Sequence, residues 1–168
     1  MKQGLLLIYT GHGKGKSSAA FGQALRAAGH GLRVCIIQFV KARESGELKA
    51  ITALPEVELH QVGSGFSWQD REKFRHSAQK GWQLAREKIT GDYQLVILDE
   101  LTYLLNYDIL DPAEVCQTLQ NRPPGQHLLI TGRDAPAELL AIADLVTEMR
   151  QIKHPFQQGV QAQRGIEF

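Results

Sequence analysis

The sequence predicts an α/β fold, a mainly parallel sheet of about six strands with helices on both faces, and three observations predict it. Short apolar runs of strand length alternate with helical patterns along the whole chain. The first run, residues 5–8, passes through Tyr9 and Thr10 into a glycine-rich loop that opens a helix. The fourth, residues 94–98, ends in two adjacent acids, Asp99 and Glu100. Parallel neighbours need crossover connections, and the alternation of strand with helix supplies them.

The elements follow in chain order. The first helix, residues 19–28, is alanine-rich, and Gly29 and Gly31 stop it as C-terminal glycines do. Residues 33–40 read as a second buried strand. Lys41 and Arg43 follow at its carboxyl end, where open α/β sheets collect ligands; these cations face either a phosphate or acidic substrate edge, or solvent. A short helix punctuated by Pro55 leads to residues 57–62, an alternating and half-exposed third strand. The stretch 63–68, GSGFSW, is a loop. Across residues 70–90, Phe74, Ala78, Trp82, Ala85 and Ile89 recur at steps of three or four, the buried stripe of an amphipathic helix. Asp111, Pro112 and Glu114 provide an N-cap, an N1 proline and an N3 acid for a helix running to about Gln120. Residues 127–131 form a fifth strand, followed by Gly132 and Arg133. Pro136 opens another short helix, residues 145–149 form a sixth strand, and residues 150–168 show no clear period. A glycine loop on the first strand with an acid pair on the fourth indicates a P-loop NTPase-type (RecA-like) three-layer sandwich, with its site at the carboxyl edge of the sheet.

The chain has 168 residues, most simply one domain (1–168), with enough length to bury a core. Its 19 Lys and Arg against 18 Asp and Glu give a net charge of +1, and the basic residues are interleaved with acids. That balance provides no field for nucleic acid. Cys35 and Cys116 form no CxxC pair and no secretory signal precedes them, which points to buried thiols in a reducing cytoplasm. Apolar runs stay near strand length, too short to span a membrane.

Gly11, Gly13 and Gly15 let the backbone approach an anion, and the helix that follows presents its positive end to the same point. Gly15, Lys16 and Ser17 satisfy the end of GxxxxGK[ST], although Thr10 stands at the first glycine. Lys14 and Lys16 would neutralise phosphate charge, and the hydroxyl of Ser17, with Ser18 beside it, would serve Mg²⁺ or phosphate. Asp99 and Glu100 suit Mg²⁺ or its water, with the nearer acid left open. His12 touches either phosphate or solvent. Arg133 is either a planar donor fork for the phosphates or a solvated loop charge. Phe66 and Trp68 are either a local core plug or an apolar wall for a large flat ligand. Neither Ser17 nor Ser18 has a His and Asp arrangement to make it a nucleophile, so transfer from the nucleotide would use a nucleophile on the second substrate.

With these residues placed, the chain resembles the ATP:corrinoid adenosyltransferases of the P-loop family. The likeness rests on TGHGKGKSSAAFGQALRAAGHG, VCIIQFVK, GFSW, LVILDELTYLLNYDIL, NRP, LLITGR, ADLVTEMR and KHPFQQGVQAQRGIEF in that order. It implies transfer of the 5′-deoxyadenosyl group of ATP to the cobalt of a reduced corrinoid, leaving inorganic triphosphate. The loop matching residues 11–17 would hold the triphosphate in an orientation reversed from that of P-loop hydrolases, exposing the ribose 5′ carbon. Mg²⁺ would sit near Ser17 and Glu100, Arg26 would belong to the nucleotide site, and Phe66 and Trp68 would close the lower face of the corrin. The resemblance also implies a homodimer and an electron donor such as a reduced flavoprotein. The loop and acid pair alone would equally serve another P-loop ATPase or small-molecule kinase, or a nucleotide or corrinoid delivery protein. The chain departs from the family pattern at His12, where Asn is usual, at Ser17, where Thr is usual, and at Asp134, where Gly is common. It also starts at its first strand, where many relatives carry an extension that folds over the site.

Overall fold

The structure, a computed structural model, describes residues 3–40, 45–63 and 71–167. Six strands form one sheet: β1 (Leu6–Thr10), β2 (Val34–Gln38), β3 (Val57–Gln61), β4 (Leu95–Asp99), β5 (His127–Thr131) and β6 (Leu145–Glu148). Their order is β3-β2-β4-β5-β1-β6, and every neighbouring pair is parallel. The α/β fold expected from the alternation is therefore present, with β5 inserted between the loop-bearing strand β1 and the acid-bearing strand β4.

Strand periodicity sorts the side chains into two cores. Val34, Ile36, Leu95, Ile97 and Leu129 face one way, packing with Ala20, Phe21, Ala24 and Ala27 of α1 (Lys16–Ala28) and with Leu48 and Ile51 of α2 (Gly46–Ile51). Cys35, Ile37, Val96, Leu98, Leu128 and Ile130 face the other way. They meet Phe74, Ala78, Trp82, Ala85 and Ile89 of α3 (Arg71–Ile89), the five residues of the periodic stripe. The same core takes in α4 (Leu101–Asn106), α5 (Pro112–Gln120) and α6 (Ala137–Ala141). Alternate residues of one strand thus serve opposite layers, as a sheet covered on both faces requires.

Three elements, α1, α4 and β6, differ informatively from the sequence reading, whereas α5 starts as expected. Helix α1 begins at Lys16, not residue 19, because the loop's last glycine is itself the N-cap. Helix α4 was not foreseen: its apolar residues follow the apolar strand β4 with no turn signal between them. Asp111 caps α5 by accepting from Ala113 N at 2.9 Å, while Glu114 lies 3.5 Å from Arg86. Strand β6 stops at Glu148, since Met149 leaves the ladder to bond the glycine loop. Strand β3 is half-buried, as its alternation suggests, because it is an outer strand. No helix among the described residues is long and apolar enough to cross a membrane.

Candidate active site

Because all strands run the same way, the ends of β1, β4 and β5 bring their following residues to one edge. Beyond β1, Gly15 adopts φ 115°, a left-handed value open to glycine at little cost, and caps α1. The first helical bond runs from Ala19 N to Gly15 O at 2.8 Å, so the N–H groups of Lys16, Ser17 and Ser18 lie ahead of the ladder at the positive end of the helix dipole. Gly13 N donates to Met149 O at 2.6 Å, and a Cβ on Gly13 would fall 2.6 Å from that same oxygen. Gly11 is pressed against the same turn, its would-be Cβ 2.5 Å from Met149 O. The spacing of glycines is therefore set on one side by the exit of β6. Lys16 Nζ arches back to donate to Gly13 O at 2.6 Å. Thr10, where the motif has its first glycine, pairs with Glu148 in the ladder, and its Oγ1 accepts from Ala135 N at 3.2 Å. That position is ordinary strand, so glycine is not required there.

A cavity of about 440 Å³ opens over the loop. Lys14, Gly15, Lys16, Ser17 and Ser18 form one wall, Glu100, Tyr103, Thr131, Gly132 and Arg133 another, and Gly46, Glu47 and residues 165–167 complete it. Glu100 is the N-cap of α4 at φ 66° and ψ 25°, a left-handed conformation that costs a non-glycine residue about 1–2 kcal/mol. Its Oε2 is shielded from solvent. Asp99 lies just behind this wall and is fully buried; its Oδ1 accepts from Thr131 Oγ1 at 2.7 Å and its Oδ2 from Gln38 Nε2 at 2.9 Å. A hydroxyl and a carboxylate on one cavity, Ser17 and Glu100, are the oxygen donors that suit Mg²⁺, which keeps most of its ligands as water and phosphate. Among the described residues no group of three or more His, Cys, Asp or Glu could hold a metal by itself. A protein donor set this small fits a cation shared with a polyphosphate.

The remaining expected residues divide clearly. Arg133 lines the cavity, and its carbonyl accepts from Thr102 Oγ1 at 2.6 Å. His12 is exposed and bonds Asp134 Oδ1 through Nε2 at 2.9 Å. Gly11 and Gly13 shape the loop from behind, outside the cavity lining. Arg26 is not among the lining residues; it stands in the last turn of α1, about 15 Å along the axis from Lys16, as a cation suited to the negative end of the helix. Phe66, Trp68, Lys41 and Arg43 lie outside the described residues.

Sequence reasoning missed three parts of the wall. Tyr103 belongs to the unforeseen α4, where burial pushes its phenol pKa up. Glu47 starts the weakly patterned α2. Residues 165–167 come from a tail without period, yet Glu167 Oε2 stands 3.9 Å from Lys14 Nζ. Only the apolar-then-acid pattern continuing into LTYLL could have pointed to Tyr103.

An all-parallel sheet that delivers a glycine loop, a helix N-terminus and an acid to one edge defines a P-loop nucleotide-binding protein of the α/β class. The sequence profile of the ATP:corrinoid adenosyltransferase BtuR/CobO/CobP family matches residues 2–168, and the chain belongs to that family. It is similar to a corrinoid adenosyltransferase of Pseudomonas aeruginosa, 42% identical over 99% of this chain and 85% of the relative. One from Escherichia coli K12 is 40% identical over 99% and 87%. The corrinoid adenosyltransferase CobA of Salmonella typhimurium is 39% identical over the same shares, 99% and 87%.

Proposed function

We propose that the chain transfers the 5′-deoxyadenosyl group of ATP to the cobalt of a reduced corrinoid and releases inorganic triphosphate. The observation that carries this reading is the cavity that gathers Lys14, Lys16, Ser17, Glu100 and Arg133 around a helix N-terminus, in a chain of this family. In the reaction, the electron pair of cobalt(I) forms the cobalt–carbon bond at C5′ of the ribose. The C5′–oxygen bond breaks and its electrons leave with triphosphate. The nucleophile is on the corrinoid, so the protein's work is to hold ATP and to stabilise charge on the departing group.

Lys14, Lys16, Arg133 and the loop N–H groups would take the triphosphate, where donors fixed beforehand stabilise developing charge most effectively. Ser17 and Glu100 would hold Mg²⁺, with Asp99 behind them; when bound, the ion supplies further neutralisation of phosphate charge. Gly11, His12, Gly13 and Ser18 would complete the phosphate loop. Phe66 and Trp68 would close the lower face of the corrin, and Arg26 would meet the nucleotide only at the far end of α1. A reduced flavoprotein is the proposed source of electrons for cobalt.

A homodimer is the proposed assembly. Its support is the concentration of exposed apolar side chains, Leu145, Val146, Ile152, Phe156 and Ile166, on the last strand and the tail. The two buried free thiols, Cys35 and Cys116, fit a reducing cytoplasm.

The deciding experiment mixes the protein, MgATP and chemically reduced cobalamin. Light-sensitive adenosylcobalamin and triphosphate in equal amounts are expected. ADP or orthophosphate as product would make the chain a kinase or ATPase, and tight binding without a cobalt–carbon bond in a single turnover would make it a delivery protein.

A further inference from the structure

The last rung of the sheet on the face beneath α1 is polar, whereas the rungs before it are apolar. Strand register sets Gln38 beside Gln61 on β3 and beside Asp99 on β4, and Thr131 ends β5 on the far side of Asp99. Gln61 Nε2 donates to Gln38 Oε1 at 3.1 Å, and Gln38 Nε2 donates to Asp99 Oδ2 at 2.9 Å. Thr131 Oγ1 donates to Asp99 Oδ1 at 2.7 Å and accepts from Glu100 N at 2.9 Å. Gln38 is 1% exposed, and Asp99 and Thr131 are fully buried.

One carboxylate orders this row. Both Asp99 oxygens accept, so Gln38 turns its NH₂ toward Asp99 and offers its oxygen to Gln61. Thr131 must likewise point its proton at Asp99, which leaves a lone pair for the Glu100 N–H. The row therefore ends on the backbone of Glu100, a non-glycine residue held in a left-handed conformation, the point from which its side chain enters the cavity. At its other end the Gln38 carbonyl accepts from Val62 N at 3.0 Å and Gly63 N at 3.3 Å, fixing the chain as it leaves β3. Gln38 is absent from the cavity lining, yet it bonds both Asp99 and that exit.

We infer that Gln38 is a positioning residue for adenosyl transfer: it aligns Asp99, and through Thr131 it holds the Glu100 backbone that presents the cavity's carboxylate. The inference rests on the role given to Glu100 above. Partners that orient a metal-holding side chain commonly matter by about 10- to 100-fold in metal affinity or activity.

The test uses the full chain and calorimetry to find the Mg²⁺ concentration that half-saturates ATP binding, together with kcat and KM for chemically reduced cobalamin. Gln38→Leu keeps the volume and removes the donor. It is expected to raise the Mg²⁺ midpoint and lower kcat, each by about tenfold or more, with ATP binding in the absence of Mg²⁺ unchanged. In a Glu100→Gln background Gln38→Leu should add nothing further, because residues acting as one unit are not additive. If Gln38→Leu does not fold, Thr131→Val cuts the same row at the next bond, and Thr131→Ser, which keeps the hydroxyl, should restore the wild-type midpoint. A folded Gln38→Leu with an unchanged Mg²⁺ midpoint, additive losses in the double variant, or a Thr131→Ser as impaired as Thr131→Val would each overturn the inference. A Glu100→Gln protein with an unchanged midpoint would instead show that the reading of Glu100 itself has failed, and the inference with it.

Discussion

The two ends of this sheet each gather hydrogen-bond donors around a carboxylate, and they do so with opposite chemistry. At the amino end, Glu58 on β3 is held by the Lys88 ammonium at 2.6 Å, by His60 at 2.5 Å and by the Tyr93 hydroxyl, on a side chain 39% exposed. At the carboxyl end, fully buried Asp99 is held by an amide and a hydroxyl. The first cluster neutralises its own charge. Hydrogen bonds from Lys88 and then Tyr93 hold Glu58 well below the usual carboxylate range, at about 2, while the Glu58 bond pushes Lys88 up to about 12. Arg33 and Lys88 both stand over the Tyr93 ring, at 5.1 and 5.6 Å, so the cluster also clamps the entry of β4. The amide and the hydroxyl that donate to Asp99 are themselves uncharged, and they fix the direction of its carboxylate at the edge that faces the cavity. A cluster of paired charges supports the fold; an oriented carboxylate serves a site.

The contrast is open to attack, and the largest expected effect is at the site. Lys16→Ala should lower adenosyl transfer on the order of 10²-fold or more, as loss of a fixed electrostatic donor does, with the thermal midpoint within a degree or two of wild type, since the side chain contributes to a loop rather than a core. Near-normal turnover would remove Lys16 from the triphosphate.

Glu58→Gln should do the reverse. Transfer should be unchanged, while stability at neutral pH falls by roughly 1 kcal/mol, the upper range for a partly exposed charge pair, or about 2–4 °C in a domain of this size. The sign with pH follows from a folded-state value of about 2 against an ordinary 4.5. Ionised Glu58 favours the fold fully above pH 4.5, and this contribution fades as pH falls toward 2. Thermal melts of wild type and variant should therefore converge between those limits. A gap that widens on acidification would assign the stabilisation to some other group.

The smallest effect concerns His12 and Asp134, an exposed pair beside the loop. A double-mutant cycle with His12→Asn and Asp134→Gly should give a coupling below about 1 kcal/mol that shrinks with added salt. Coupling of several kcal/mol would mean that this pair, too, belongs to the oriented kind.

These two residues also show where sequence reading stops. His12 and Asp134 stood out separately as departures from the family pattern, 122 positions apart, and only the fold brings them to 2.9 Å as one contact. The periodic parts were legible because a single physical rule generates each of them: the Phe74–Ile89 stripe follows helical pitch, and the run 127–131 is bounded by Gly125 and Gly132. The loop was legible because close backbone approach requires glycine, and Gly13 against Met149 O meets that requirement. Tyr103, Glu47 and Glu167 were not legible, since a cavity wall is assembled from chain segments whose local patterns have no reason to announce one another. Asp99 and Glu100 were found together, but adjacency hid their division: alternation along the strand sends Asp99 into the row under α1, while the left-handed turn at Glu100 releases it into the cavity.

The bond from Gly13 N to Met149 O has a consequence for the order in which this protein comes into being. The loop leaves the ribosome well ahead of the carbonyl that shapes it, which comes from a residue far later in the chain. At synthesis rates of about 5–20 residues per second, the loop waits on the order of ten seconds for its clamp. A chain stopped before β6 therefore carries the phosphate-loop sequence without the carbonyl that holds Gly13 in place.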